Sequence, residues 1–66
     1  MDIKQIEARI AAIYAVQSDD EEAHIMEDEL WEDVLRAIAN NEVDSPSTAA
    51  YLALTTKNIK FARWCA

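Results

Sequence analysis

The spacing of the isoleucines at the start of the chain constrains the fold more than any other feature. Ile3, Ile6, Ile10 and Ile13 follow one another at intervals of three, four and three residues. Apolar residues at these intervals line one side of an α-helix and form the seam of a coiled coil. The pattern predicts a first helix over residues 2–17. Because the seam is narrow and regular, we also predict that these four isoleucines serve self-association.

Two capping boxes indicate where the first two helices begin. Asp2 precedes the first helix and Gln5 follows three residues later, so that each side chain can bond the backbone N–H of the other. Ser18 and Glu21 have the same spacing. They predict that Ser18 caps a second helix, which we expect over residues 19–40.

Asparagine, serine and proline indicate where the second helix ends and the third begins. Asn40–Asn41 is expected to stop the second helix, since asparagine tolerates the left-handed conformation in a chain without glycine. Ser45–Pro46 predicts an N-cap followed by the first helical residue. We expect the third helix over residues 46–64. It is either continuous or broken into two at residues 55–58, which are poor helix formers.

The apolar residues of the later helices complete the predicted core. In the second helix the predicted stripe contains Ala23, Met26, Leu30, Val34 and Ile38, widened by Trp31 and Leu35. In the third, the predicted face contains Ala50, Leu54, Phe61 and Cys65, with Tyr51 and Leu52 beside it. The fold class is therefore an all-α, small three-helix bundle, one domain over residues 1–66. Because so short a chain buries little surface, we expect it to self-associate as a homodimer.

Charge is strongly segregated along the chain. Residues 1–18 are neutral, residues 19–44 carry a net charge of −10, and residues 45–66 carry +3. Like charges one helical turn apart repel each other, so helix propensity alone does not explain an acidic second helix. The plainest interpretation is a solvated face that keeps the protein in solution.

Three functional interpretations compete with that one. The acidic helix could attract the basic C-terminal end of the same chain or of a dimer mate. It could dock on a basic partner protein, or it could imitate the phosphates of a nucleic acid and so inhibit a DNA-binding protein. The candidate partner-binding residues are Glu29, Glu32, Asp33, Arg63 and Trp64. Direct nucleic-acid binding is not expected, because six basic residues stand against thirteen acidic ones.

The chain offers few groups for metal binding or catalysis. Glu21-x-x-His24 resembles half of the ligand set of di-iron helical bundles, which a symmetric dimer would complete with Glu27 or Asp28. A metal-binding helical dimer is therefore the third hypothesis, although no cofactor is predicted for the single chain. Cys65 and His24 are the only thiol and imidazole, and Cys65 lies near the chain end. We therefore predict that the protein is not an enzyme.

The sequence also bears on location. It contains no run of apolar residues long enough to span a membrane, and the N-terminal residues lack the basic-then-apolar layout of a signal peptide. A cytoplasmic protein with a free thiol is the expectation.

Two stretches, Glu29 to Ala39 and Phe61 to Ala66, carry a resemblance to known proteins. They resemble those of short helical proteins encoded by bacteriophages and prophages, many of which have no assigned function. The resemblance covers about the last forty residues. It implies a cytoplasmic setting in a bacterial host and contact with a host or phage protein, and it assigns a role to no single residue.

Overall fold

In a computed structural model of the chain, the described residues form three α-helices followed by a turn of 3-10 helix. α1 spans Ile3–Ala15, α2 spans Asp20–Ala39, α3 spans Pro46–Leu54, and the 3-10 helix spans Thr55–Asn58. The structure describes residues 1–63, and this part of the chain contains no strand. The prediction of an all-α fold with three helices is confirmed.

The N-terminal caps match the sequence prediction at the first helix and differ at the second. The Gln5 N–H donates to Asp2 Oδ1 at 2.8 Å, and the Asp2 N–H donates to Gln5 Oε1 at 2.9 Å, so this capping box is confirmed. At the second helix the cap is Asp19 instead of Ser18. Its carboxylate accepts a hydrogen bond from the Glu22 N–H at 3.2 Å, and an aspartate caps as well as a serine does.

α2 ends in a Schellman motif that depends on one asparagine. Asn41 has a φ of 57°, which lies in the left-handed region. The N–H of Glu42 donates to the carbonyl of Ala37 at 2.8 Å, and that of Asn41 to Ile38 at 3.1 Å. These two bonds satisfy the last carbonyls of the helix, as the Asn40–Asn41 signal predicted.

α3 is shorter than the predicted range 46–64. It starts at Pro46 after Ser45, as expected, but it ends at Leu54 and tightens into the 3-10 helix. The hydroxyls of Thr55 and Thr56 donate to the carbonyls three residues before them. Such bonds compete with the helical backbone pattern, so the chain leaves the α-helix where its poor helix formers begin. The backbone of Ile59 is extended, and residues 60–63 form neither helix nor strand.

The core confirms most of the predicted α2 stripe and corrects the predicted face of α3. Ala23, Leu30 and Val34 are buried, and Met26 and Ile38 pack against them. On α3 the buried residues are Ala49 and Ala53. The predicted residue Leu54 is 59% exposed, and Leu35 of α2 is 66% exposed. The small alanines let α3 approach the other helices closely, whereas the larger side chains of Tyr51 and Leu54 point outward.

The isoleucine seam of α1 packs inside the chain. Ile6 and Ile13 are fully buried, and Ile3 and Ile10 are partly buried against the same core. In the single chain these isoleucines are therefore used for the core, because a domain this small needs its largest aliphatic side chains there. Their part in self-association stays a prediction.

Candidate interaction surface

A buried carboxylate lies in the middle of α2. Glu27 falls between Ala23 and Leu30 on the helix face that packs into the core, and it is only 2% exposed. An ionised group in such a place costs several kcal/mol unless it is paired and hydrogen-bonded. Its position within the apolar stripe is the one sequence signal that could have identified it.

Arg63 provides the partner of Glu27 from the C-terminal segment. Its Nε donates to Glu27 Oε1 at 2.8 Å, and its Nη2 donates to Oε2 at 3.0 Å. The same Nη2 donates to the carbonyls of Thr56 and Ile59, at 2.8 and 3.2 Å. The guanidinium also lies 3.8 Å from the centre of the Phe61 ring. Arg63 therefore fastens the segment after the 3-10 helix to α2.

The pair changes the acidity of both groups. Burial raises the pKa of Glu27, but the hydrogen bonds from Arg63 and Thr56 and the positive charge of Arg63 outweigh burial and lower that pKa. The hydrogen bond to Glu27 raises the pKa of Arg63. Both groups therefore stay charged at neutral pH.

A tryptophan hydrogen-bonded to α3 adjoins this pair. The Trp31 Nε1–H donates to the carbonyl of Ala53 at 2.9 Å and to Thr56 Oγ1 at 3.1 Å. Lys57 lies over the face of the indole, with its Nζ 5.7 Å from the ring centre. Trp31 thus joins α2 to α3 and is at the same time partly exposed.

The predicted partner-binding residues that the structure describes lie in different environments. Asp33 accepts hydrogen bonds from Arg9 at 2.8 Å and from Arg36 at 3.3 Å, and Arg63 is held by Glu27. Glu29 is exposed, and the exposed Glu32 pairs with Arg36 one turn away. Trp64 and Cys65 lie outside the described residues.

An exposed acidic face nevertheless runs along α2. We define it as the side chains of Glu21, Glu22, Asp28, Glu29 and Glu32, all of which are exposed. Within residues 1–63, the side chains of Glu21, Glu22 and Glu29 form no salt bridge. The charge of these residues is therefore directed to solvent.

An apolar groove lies between α2 and α3, beside the acidic face. It has a volume of about 210 Å³ and is lined by Trp31, Val34, Leu35, Ala50, Ala53 and Leu54. Val34 and Ala53 are buried at its base, whereas Leu35 and Leu54 are 66% and 59% exposed. Tyr51, on the same helix as Leu54, is 68% exposed. Sequence reasoning assigned Leu35, Ala50 and Leu54 to the core and so missed this groove.

A second, wider and more open groove separates α1 from the C-terminal half of α2. It has a volume of about 590 Å³ and is lined by Met1, Gln5, Ala8, Arg9, Asp33, Arg36, Ala37 and Glu42. Its two arginines are both bound to Asp33, and Arg36 also pairs with Glu32, so two carboxylates balance the two positive charges within the chain. The arrangement is that of a structural ion-pair cluster more than of a ligand site.

The di-iron-like pattern gains no ligand cluster within one chain. His24 Nε2 lies 3.5 Å from Asp28 Oδ2, while Glu27 is bound to Arg63. In the part of the chain that the structure describes, no three Asp, Glu, His or Cys side chains come close enough together to hold a metal ion. The hypothesis of a metal site shared by two chains stays untested.

Comparisons with protein families, curated proteins and solved structures find no match to this chain. Over residues 1–63, no helix combines the length and the apolar character needed to cross a lipid bilayer. The case for a function therefore rests on the acidic face and the apolar groove.

Proposed function

We propose that this chain is a non-enzymatic protein–protein interaction module that contacts a basic partner protein through the acidic face of α2. The observation that carries the proposal is that some acidic residues of α2 are paired within the chain and others are not. Glu27 and Asp33 bind the arginines of the chain itself, while Glu21, Glu22 and Glu29 are exposed and form no salt bridge within residues 1–63. Complementary charge of this kind speeds encounter with a basic surface and orients the complex.

Apolar side chains within and beside the acidic face favour a protein partner over the mimicry of a nucleic acid. Ile25 is 48% exposed and Leu35 is 66% exposed, both on the outer side of α2. A phosphate backbone offers nothing that corresponds to such side chains, whereas a protein interface combines apolar contacts with a charged rim. Inhibition of a DNA-binding protein by mimicry therefore has no observation that favours it.

The proposal also includes the cellular compartment and the oligomeric state of the protein. The resemblance to short phage and prophage proteins supports a bacterial cytoplasm and a host or phage protein as the partner. A homodimer remains compatible with the fold, but the isoleucines of α1 are already used in its core. Exposed apolar residues of α2 and α3 are the remaining candidates for contact between two copies.

Capture from a bacterial lysate tests the proposal. The wild-type protein is compared with the double variant Glu29→Lys/Glu32→Lys, which reverses two charges of the acidic face and leaves the pair of Asp33 with Arg9 intact. We expect the wild type to retain a basic protein and the variant to lose it. Retention should weaken as salt is added, because exposed charges are screened.

The matched control is Glu7→Lys/Glu42→Lys, which makes the same change in net charge at exposed positions outside α2. If this control loses the partner as completely as the first variant does, attraction depends on net charge alone and the acidic face is not a docking surface. If DNA displaces the captured partner, mimicry replaces ordinary docking as the explanation.

A further inference from the structure

The apolar groove between α2 and α3 has the size of a site for side chains. Pockets that hold small molecules commonly enclose about 300–1,000 Å³, whereas this groove encloses about 210 Å³. Leu35 and Leu54 form its two rims, one on each helix, and both are more than half exposed. A groove between two packed helices with apolar rims has the shape into which a third helix packs.

The charge next to the groove identifies the chemistry of its occupant. Asp28, Trp31, Glu32 and Leu35 are spaced by three, four and seven residues, so they are neighbours along one stripe of α2. The side chains of Asp28 and Glu32 are 67% and 68% exposed, and each is paired within α2, with His24 and with Arg36. Such exposed pairs contribute little free energy, so basic groups of a partner can replace them. An apolar wall with carboxylates directly beside it fits a helix that has an apolar face flanked by lysine or arginine.

We propose that this groove binds the apolar face of a basic amphipathic helix from the partner protein. Leucine-like side chains, spaced by three, four and seven residues, would insert between Leu35 and Leu54. Basic side chains on one flank of that helix would pair with Asp28 and Glu32. The inference rests on the proposed function and specifies the form of the partner.

Charge also distinguishes this occupant from a second copy of the chain. The net charge of −7 makes two copies repel each other, and a symmetric contact would bring two sets of Asp28 and Glu32 together. In the described residues, the apolar face of α1 is buried and Lys57 and Lys60 lie outside the α-helices. No described α-helix of a second copy therefore has an exposed apolar face with a basic flank.

Peptide titration followed by NMR tests the groove directly. The probe is a synthetic lysine–leucine peptide that folds as a helix with all its leucines on one face. The control peptide has the same composition with the leucines distributed around the helix. The protein variant is Leu35→Ser/Leu54→Ser, and its control is Tyr14→Ser, which removes an exposed apolar side chain of α1, away from both the groove and the acidic face.

The one-faced peptide should shift the amide signals of Trp31, Ala50 and Leu54 in the wild type, and its affinity should exceed that of the control peptide. The Leu35→Ser/Leu54→Ser variant should bind the one-faced peptide at least about tenfold more weakly, since each leucine loses the burial that binding provides. The Tyr14→Ser variant should bind it as the wild type does.

Three outcomes overturn the inference without deciding the proposed function. Equal binding of both peptides, with shifts confined to the acidic face, leaves charge attraction and removes the groove. Binding of neither peptide also removes the groove as a site for a basic helix. If the wild type sediments at twice its 7.5 kDa mass and the Leu35→Ser/Leu54→Ser variant does not, a second copy is the occupant. The lysate experiment with Glu29 and Glu32 decides the proposed function independently.

Discussion

The guanidinium of Arg63 donates two hydrogen bonds, of 2.8 and 3.0 Å, to the buried carboxylate of Glu27, which lies 36 residues earlier in the sequence. Planar two-point pairing is the strongest form of contact between these groups. The remaining Arg63 donors reach backbone carbonyls of the 3-10 helix and of the segment after it. This one side chain therefore connects α2, the 3-10 helix and the C-terminal segment.

Removal of either partner should destabilise the fold strongly. Arg63→Met leaves Glu27 buried without a counter-charge, and breaking a buried pair in this way costs about 3–5 kcal/mol in free energy of unfolding. The measurement is urea unfolding followed by circular dichroism. Lys60→Met removes an exposed cation nearby and should change the free energy by less than about 0.5 kcal/mol. Similar midpoints for the two variants would show that the pair contributes little.

The pair should also make stability depend on acid pH. The pKa of Glu27 in the folded chain lies below its ordinary value of 4.5, so the unfolded chain takes up the proton first as the pH falls. The contribution of Glu27 is therefore complete above about pH 4.5 and declines as the pH falls through the lower folded-state pKa.

Urea unfolding at a series of acid pH values measures this dependence. Glu27→Gln removes the titrating group, so its free energy of unfolding should fall less steeply with acid than that of the wild type. Glu29→Gln, an exposed position on the same helix, should retain the wild-type slope. Equal slopes for the wild type and Glu27→Gln would assign the acid sensitivity to other carboxylates.

Local signals in the sequence predicted the start of α1, the end of α2 and the start of α3, because the interactions that set these ends are local. The Asp2–Gln5 capping box, the left-handed Asn41 and Pro46 at the start of α3 each depend on side chains and backbone within a few residues. Residues three or four apart are close in any helix, so a single sequence contains the information needed.

Contacts between distant elements were not predictable in the same way. A glutamate in an acidic helix is most simply interpreted as solvated. Attraction between this helix and the basic C-terminal end was one interpretation of the sequence, but nothing near Glu27 indicates that it is the residue that Arg63 binds. The face of α3 was misassigned because Leu54 is more apolar than Ala53, yet Trp31 donates a hydrogen bond to the carbonyl of Ala53 and the buried positions are the small ones. Because α3 faces the core with its alanines, Leu54 lies at the surface and lines the groove.

The hydrogen bonds of Trp31 should be measurable as stability. Trp31→Phe keeps an aromatic ring but removes the donor to Ala53 and Thr56, and it also reduces the packed volume. We expect a loss of about 1–3 kcal/mol in the free energy of unfolding. Tyr51→Phe changes a 68% exposed side chain on α3 and should alter stability by less than about 0.5 kcal/mol. An equal effect of both substitutions would contradict a structural role for the indole N–H.

The end of α2 should depend on the conformation of one residue. Asn41 has a φ of 57°, where alanine is disfavoured by about 1–2 kcal/mol and glycine is not. Asn41→Ala should therefore lower the free energy of unfolding by about 1 kcal/mol, whereas Asn41→Gly should leave it unchanged or raise it. Asn40→Ala makes the same substitution one residue earlier, at a φ of −93°, and should have little effect. Urea unfolding midpoints rank the stability of the three variants. If Asn40→Ala is less stable than Asn41→Ala, the side chain of Asn40 ends the helix and the left-handed backbone of Asn41 does not.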